Sequence, residues 1–238
     1  MPILYLLPNL LDHSQDHHAF FPSTVDAIVP TLGGLIAETE KEARRYLKRF
    51  LFPESKTFRD IPILLLNEHT TTLQKEGLIE TIVRSHASWG LISDCGLACL
   101  ADPGADLVLL AKKRGVQVQA CVGPSSIILA LMLSGLGGQR FIFHGYLPRE
   151  EKLLIEKLKQ MDKNSQKDYT HLFIETPYRN QKLFKQLCTT LSNQSWLSIA
   201  CDLTSDQEWV KTKRIAQWKK EQPLFDKLPA VFIVRNHE

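Results

Sequence analysis

The chain has 238 residues, of which 44% are hydrophobic and 23% charged, with twelve Gly and twelve Pro. At about 100–200 residues per domain this is one large domain or two compact ones, and the balance excludes a disordered, collagenous or low-complexity chain. A formal charge of +3 and a pI near 8.5 fall short of a dedicated nucleic-acid binder, so an RNA substrate is admitted but not required. Apolar runs such as Ser125–Leu133 are too short to cross a bilayer, which takes about 20 residues. The start, Met1 to Leu7, lacks the basic n-region of a secretory signal and reads as a strand. The five cysteines are Cys95, Cys99, Cys121, Cys188 and Cys201; the odd number and the lack of a C-x-x-C pair argue for reduced cytosolic thiols.

Short apolar runs alternate with amphipathic stretches along the chain. Strands are expected at Ile3–Leu7 and Gly34–Ala37, then a helix over Thr39–Phe50 with Ala43, Tyr46, Leu47 and Phe50 on one face and Thr39 as cap. A strand at Ile61–Leu66, a helix at Thr72–His86, a strand at Trp89–Ser93, a helix at Ala105–Arg114 closed by Gly115 and a strand at Val116–Val122 complete the first half. This β-α rhythm predicts a parallel sheet covered by helices. A helix from Ser125–Ser126 ends near Gly135, and Gly137-Gly138 reads as the hinge. Beyond it come a strand at Phe141–His144, a helix at Arg149–Met161, a strand at His171–Glu175 and a helix at Tyr178–Leu191. Asp162–Asp168 reads as a surface loop, Trp196–Leu203 and Glu208–Thr212 as an antiparallel pair, and Ala230–Val234 as the last strand. The domains are expected at 1–122 and 123–238, with the hinge region at about 123–140.

The densest signal is Ser93-Asp94-Cys95-Gly96-Leu97-Ala98-Cys99-Leu100-Ala101-Asp102-Pro103-Gly104, between a strand and a helix. Open α/β sheets bind ligands in such loops, and Gly96 and Gly104 allow close backbone approach. An ordinary turn capped by Asp102, with Pro103 as first helical residue, accounts for the same residues. Gly123-Pro124-Ser125-Ser126 also follows a strand and opens a helix, either as an anion or hydroxyl site or as a plain Ser cap. Neither a P-loop nor G-x-G-x-x-G occurs after a strand. The run Asp12-His13-Ser14-Gln15-Asp16-His17-His18 has no regular ligand spacing and reads as a solvated loop; no metal is expected. Lys41, Arg44, Arg45, Lys48 and Arg49 line one side of a helix, either as a solvated face or as an RNA-phosphate face.

These loops, in this order, resemble the class III S-adenosylmethionine-dependent methyltransferases of the tetrapyrrole (corrin/porphyrin) methylase superfamily. The branch they resemble is the ribosomal RNA small-subunit cytidine 2′-O-methyltransferases. Residues 93–104 match its S-D-A-G-T-P-x-I-S-D-P-G loop with Leu97-Ala98 in place of Thr-Pro, and Val122–Ser126 match P-G-P-S-A. Gly145–Pro148 match G-[FY]-L-P, Phe173–Arg179 match F-[YF]-E-[ST]-P-[HY]-R, and Ala200–Thr204 echo A-R-E-L-T. The first loop departs: T-P-I-G-N-L-G-D becomes Leu7-Pro8-Asn9-Leu10-Leu11-Asp12, without either glycine. A-E-D-T-R becomes Ala37-Glu38-Thr39-Glu40-Lys41, and K-x-H-E becomes Ser205-Asp206-Gln207-Glu208.

The resemblance implies a two-domain α/β fold with the active-site cleft between the domains, S-adenosylmethionine as methyl donor, a cytoplasmic enzyme and a homodimer. It implies that Asp94, Gly96, Leu97, Leu100, Ser125, Ser126, Glu175, Thr176, Leu203 and Ala230 bind or shape the donor site. Asn9, Glu38, Lys41, Tyr178 and Arg179 would face the acceptor. The expected substrate is RNA, with ribosomal RNA ribose first. A tetrapyrrole-like methylase is the lesser alternative, since G-x-G-P-G-D and G-D-P are both missing; a donor-binding protein without turnover is the other.

Overall fold

The computed structural model describes residues 2–162, 169–221, 223, 225 and 227–236. Of the loop expected over Asp162–Asp168, residues 163–168 lie outside the described residues. The chain divides into two compact units, Met1–Ser125 and Ser126–Glu238, so Gly137-Gly138 lies inside the second.

The first unit is a parallel sheet. Its strands are β1 (Ile3–Leu6), β3 (Gly34–Ala37), β4 (Ile63–Leu65), β5 (Trp89–Leu91) and β7 (Gln117–Ala120), in the order β4-β3-β5-β1-β7. Two two-residue strands, β2 (Pro8–Asn9) and β6 (Gly96–Leu97), pair antiparallel beside it. The helices are α1 (Ser23–Ile28), α2 (Glu40–Leu47), α3 (Thr72–Ser85) and α4 (Gly104–Lys113). The expected periodicity is seen directly in α2, which buries Ala43, Tyr46 and Leu47 and is capped by the Thr39 hydroxyl accepting from Glu42 N. Helix α3 starts on a capping box between Thr71 and Gln74. Pro103 is the residue before α4 and not its first; the Asp102 carboxylate accepts from Gly104 N, the first residue of the helix, at 3.0 Å.

The second unit is built on a mixed sheet. It contains α5 (Ser126–Ser134), β8 (Phe141–Tyr146), α6 (Glu151–Met161), β9 (Thr170–Glu175), α7 (Asn180–Thr190), β10 (Trp196–Cys201), β11 (Trp209–Arg214), α8 (Ile215–Trp218) and β12 (Ala230–Arg235). The strand order is β11-β10-β12-β9-β8, with β8 parallel to β9 and the other pairs antiparallel. One apolar core gathers Leu154, Leu158 and Met161 of α6, Leu183 and Leu187 of α7, and Phe173, Ile199 and Phe232 of the sheet. Among the described residues no helix is long and apolar enough to cross a membrane.

Two features of these cores are directly testable. Gly34 on β3 faces Trp89 on β5, and a Cβ there would lie 2.2 Å from the indole ring. Gly34→Ala is expected to destabilise the first unit by about 1–3 kcal/mol through overpacking, read as a lower urea midpoint; an unchanged midpoint contradicts this. In the second unit His144 Nε2 lies 2.9 Å from His171 Nδ1, and burial, with the charges of Lys157 and His171, pushes the His144 imidazole down to about 4. A depressed imidazole stabilises the fold fully above the unfolded value of about 6.5 and less as pH falls toward 4. Melting temperature should therefore fall over that window, and the fall should be shallower in His144→Asn.

Candidate active-site loops

Three loops of the first unit meet beyond the carboxyl ends of β1, β5 and β7, the place where open parallel sheets bind ligands. They are the segment after β1, the 93–104 segment and the 121–125 segment. The β2–β6 ribbon joins the first two, pairing Asn9 with Gly96 and Pro8 with Leu97. The third closes on the first so tightly that a Cβ on Gly123 would stand 2.1 Å from Pro8 Cβ. Gly96 takes φ +73°, a left-handed conformation that a glycine adopts without strain.

Asn9 holds this junction. It is 0% exposed; its Nδ2 donates to Ser93 O and Asp94 O, both at 2.9 Å, and its Oδ1 accepts from Leu10 N at 2.9 Å and Arg49 Nη1 at 3.2 Å. All its polar atoms are spent inside the protein, so in this structure it ties loops together and presents no group to an acceptor. Arg49 also donates from Nη2 to His13 Nδ1 at 3.0 Å. Burial, then the charges of Arg45 and Arg49, hold His13 below its usual range, which suits a neutral ring accepting that bond.

Within the 93–104 loop the Asp102 carboxylate accepts from Cys99 N at 3.0 Å and from Gly104 N at 3.0 Å. It thereby holds the left-handed residues Cys99 (φ +68°) and Ala101 (φ +67°). Burial and then Asp102 push the Cys99 thiol up to about 12, and burial with neighbouring carboxylates also raises Cys95. Neither thiol is a nucleophile at neutral pH. Asp94 Oδ1 and Ser125 Oγ are buried and have no hydrogen-bond partner among the described residues. Burial raises the Asp94 carboxyl, with Glu42 adding and Arg45 opposing; burial, then Asp94, raises Glu38 likewise. Leu97 is half-buried and Leu100 is 42% exposed, so the polar atoms are flanked by apolar surface. Orphaned polar atoms beside apolar side chains and a glycine backbone fit a ligand with both polar and apolar parts, such as a nucleoside carrying an amino acid.

In the second unit the expected residues share one end of the sheet. Glu175, Ala230 and Cys201 stand in register on β9, β12 and β10, and Leu203 follows β10. Glu175 is buried and accepts from Thr176 N at 2.7 Å, from Thr176 Oγ1 at 3.3 Å and from Arg179 Nη2 at 3.2 Å. Thr176 and Pro177 open a 3-10 turn that runs into α7, and Tyr178 projects into solvent, 81% exposed. Ser126 is the first residue of α5.

Two surface readings need correction. The Asp12–His18 run is not simply solvated: His17 is buried, packs edge-on against Phe50, and places Nε2 2.8 Å from Asp26 Oδ1. Asp16, His17 and His18 offer ligand atoms within 4.8 Å of one another, a proximity that the irregular spacing did not suggest. The α2 cations are not one free face either. Arg44 Nη1 is spent on the carbonyls of Phe58, Arg59 and Ile61, Arg45 pairs with Glu42, and Arg49 turns inward to Asn9. Lys41 and Lys48 remain exposed.

No known protein-family profile matches the chain. Among curated proteins it is 27% identical over 216 residues to the ribosomal RNA small subunit methyltransferase I of Vibrio cholerae, covering 91% of this chain and 70% of that protein. It is 30% identical over 183 residues to the protein of the same name from Xylella fastidiosa, covering 77% of this chain and 63% of that one. The chain thus spans about two thirds of the length of these relatives. Among solved structures, the methyltransferase CobJ superposes with a TM-score of 0.64 at 11% identity, over 99% of this chain and 95% of the other. Diphthine synthase gives a TM-score of 0.64 at 17% identity, over 99% and 90%. A uroporphyrin-III C-methyl transferase from Thermus thermophilus, solved with S-adenosyl homocysteine, gives 0.59 at 12% identity, over 99% and 97%. The fold is that of the tetrapyrrole methylases, and in sequence the chain is similar to proteins named ribosomal RNA small subunit methyltransferase I.

Asn9→Ala would leave two buried carbonyls and the Arg49 guanidinium short of a partner. It is expected to lower the unfolding free energy of the first unit by about 2 kcal/mol, read in urea with an unchanged slope. Wild-type stability in this variant would contradict the role given to Asn9.

Proposed function

We propose that the chain transfers a methyl group from S-adenosylmethionine to RNA, with a ribose oxygen of small-subunit ribosomal RNA as the first acceptor to test. The observation that carries the reading is the junction of the three first-unit loops, where Ser125 Oγ and Asp94 Oδ1 are buried without partners. The names of the relatives supply the RNA part.

Asp94, Gly96, Leu97, Leu100 and Ser125 of the first unit hold the donor in this reading; Ser126, Glu175, Thr176, Leu203 and Ala230 are the second unit's candidates. When bound, the donor supplies an activated methyl on sulfur, so the protein's task is mainly alignment. Glu38 is the candidate proton acceptor for an attacking hydroxyl in this reading, its carboxyl raised by burial and then by Asp94. Lys41, Tyr178 and Arg179 face the acceptor; Asn9 acts at one remove, by fixing the loops. No metal enters the reading. A homodimer and a cytoplasmic location come with the family, and five free cysteines suit a reducing compartment.

Calorimetry with S-adenosylmethionine and turnover of labelled donor on ribosomal RNA together test this. Binding and turnover are expected in the wild type, with donor binding abolished by Ser125→Trp, which fills the space beside the orphaned hydroxyl. Unchanged affinity in Ser125→Trp rejects the donor placement. Donor binding without turnover on RNA, and no methyl mark lost from RNA in cells lacking the protein, rejects the activity.

A further inference from the structure

Between α2 and β4 the chain builds a second feature, remote in sequence from the 93–104 loop. Phe58 is half-buried, and its ring carries two cations: Lys48 Nζ lies 5.6 Å from the ring centroid and the Arg59 guanidinium 5.5 Å. Arg44, Lys48, Phe58 and Arg59 line an open groove of about 430 Å³. Arg44 is locked in the floor by its bonds to the carbonyls of Phe58, Arg59 and Ile61, at 3.0, 3.3 and 2.9 Å. Among the described residues neither Lys48 nor Arg59 pairs with a carboxylate. The nearest acid in sequence, Asp60, is turned away into bonds with Thr57 N and Oγ1 at 2.7 and 2.9 Å.

Charge is concentrated here. Residues 40–60 hold seven Lys and Arg against four Asp and Glu, a surplus equal to the formal charge of the entire chain. An anion entering the groove that Lys48 and Arg59 line would meet both cations, and guanidinium and ammonium groups both suit phosphate oxygens.

We propose that the Lys48–Phe58–Arg59 groove is a backbone subsite for single-stranded RNA, gripping phosphate through the two cations that contact the ring and line the groove. The inference rests on the RNA reading above and adds to it the place where the chain grips its substrate away from the reacting atoms. Contacts of this kind position a strand without reading its sequence, and they weaken with salt.

Binding of a fluorescein-labelled single-stranded RNA oligonucleotide, followed by anisotropy over a range of salt, provides the test. The double variant Lys48→Ala/Arg59→Ala is expected to lose about tenfold in RNA affinity, with the salt slope falling by about 1.4 for two lost phosphate contacts. Phe58→Leu, which keeps both charges but removes the ring, is expected to lose severalfold. Lys112→Ala/Lys113→Ala removes the same charge from the end of α4 and should leave affinity unchanged. Calorimetry with S-adenosylmethionine should give wild-type affinity in all variants, which shows that they are folded. Unchanged RNA affinity and slope in the Lys48/Arg59 variant, or an equal loss in the Lys112/Lys113 variant, overturns the subsite and leaves the proposed activity standing. Loss of binding to anionic phospholipid vesicles in place of RNA also overturns it. A wild-type protein that neither binds nor methylates RNA overturns the activity and the subsite together.

Discussion

The first unit depends on one buried amide. From a fully buried position Asn9 satisfies two carbonyls of the 93–104 segment, the backbone of its own loop and the half-buried guanidinium of Arg49. A buried amide in a low-dielectric setting is costly unless all its bonds are made, so these partners come as a set. The loop after β1, Leu7 to Asp12, contains no glycine. The β2–β6 ribbon and the fit of Gly123 against Pro8 hold the loops in place with backbone and side-chain contacts.

Around that tie the electrostatics are arranged in two tiers. Inside the junction burial and then Asp94 raise Glu38, while burial and then Glu42 raise Asp94, with Arg45 opposing. Outside, Lys48 and Arg59 face solvent over Phe58 with no carboxylate beside them among the described residues. One helix therefore serves both tiers: the inward guanidiniums steady the loops, and an exposed lysine belongs to the surface. Ordering the left-handed residues Cys99 and Ala101 costs energy that Asp102 offsets through its bonds to Cys99 N and Gly104 N.

The sequence disclosed the elements whose burial leaves a period. Leu154, Leu158 and Met161 face one core along α6, and Ala43, Tyr46 and Leu47 do so along α2, so both helices are visible as spacing. The 93–104 loop is visible through its density of Gly, Asp and Pro after a strand, and Ser125 through its place at a helix entry. Strands β2 and β6, with two residues each, are too short to carry a pattern, and their pairing with each other defines them; α8, with four residues, is too short as well. The buried states of Asn9 and His17 were illegible for the same reason, since nothing local distinguishes a buried Asn or His from a loop residue. Lys41, Arg44, Arg45, Lys48 and Arg49 fall on one side by helical spacing, but α2 ends at Leu47, and spacing cannot show that Arg44 reaches carbonyls 14–17 residues away.

The most direct test of the account is a structure of the protein with S-adenosyl homocysteine. The account predicts the ligand against Gly96 and Leu97, with Ser125 Oγ and Asp94 Oδ1 hydrogen-bonded to it and the Asn9 bonds to Ser93 and Asp94 intact. A ligand bound elsewhere, or one that leaves both orphaned oxygens bare, would contradict it.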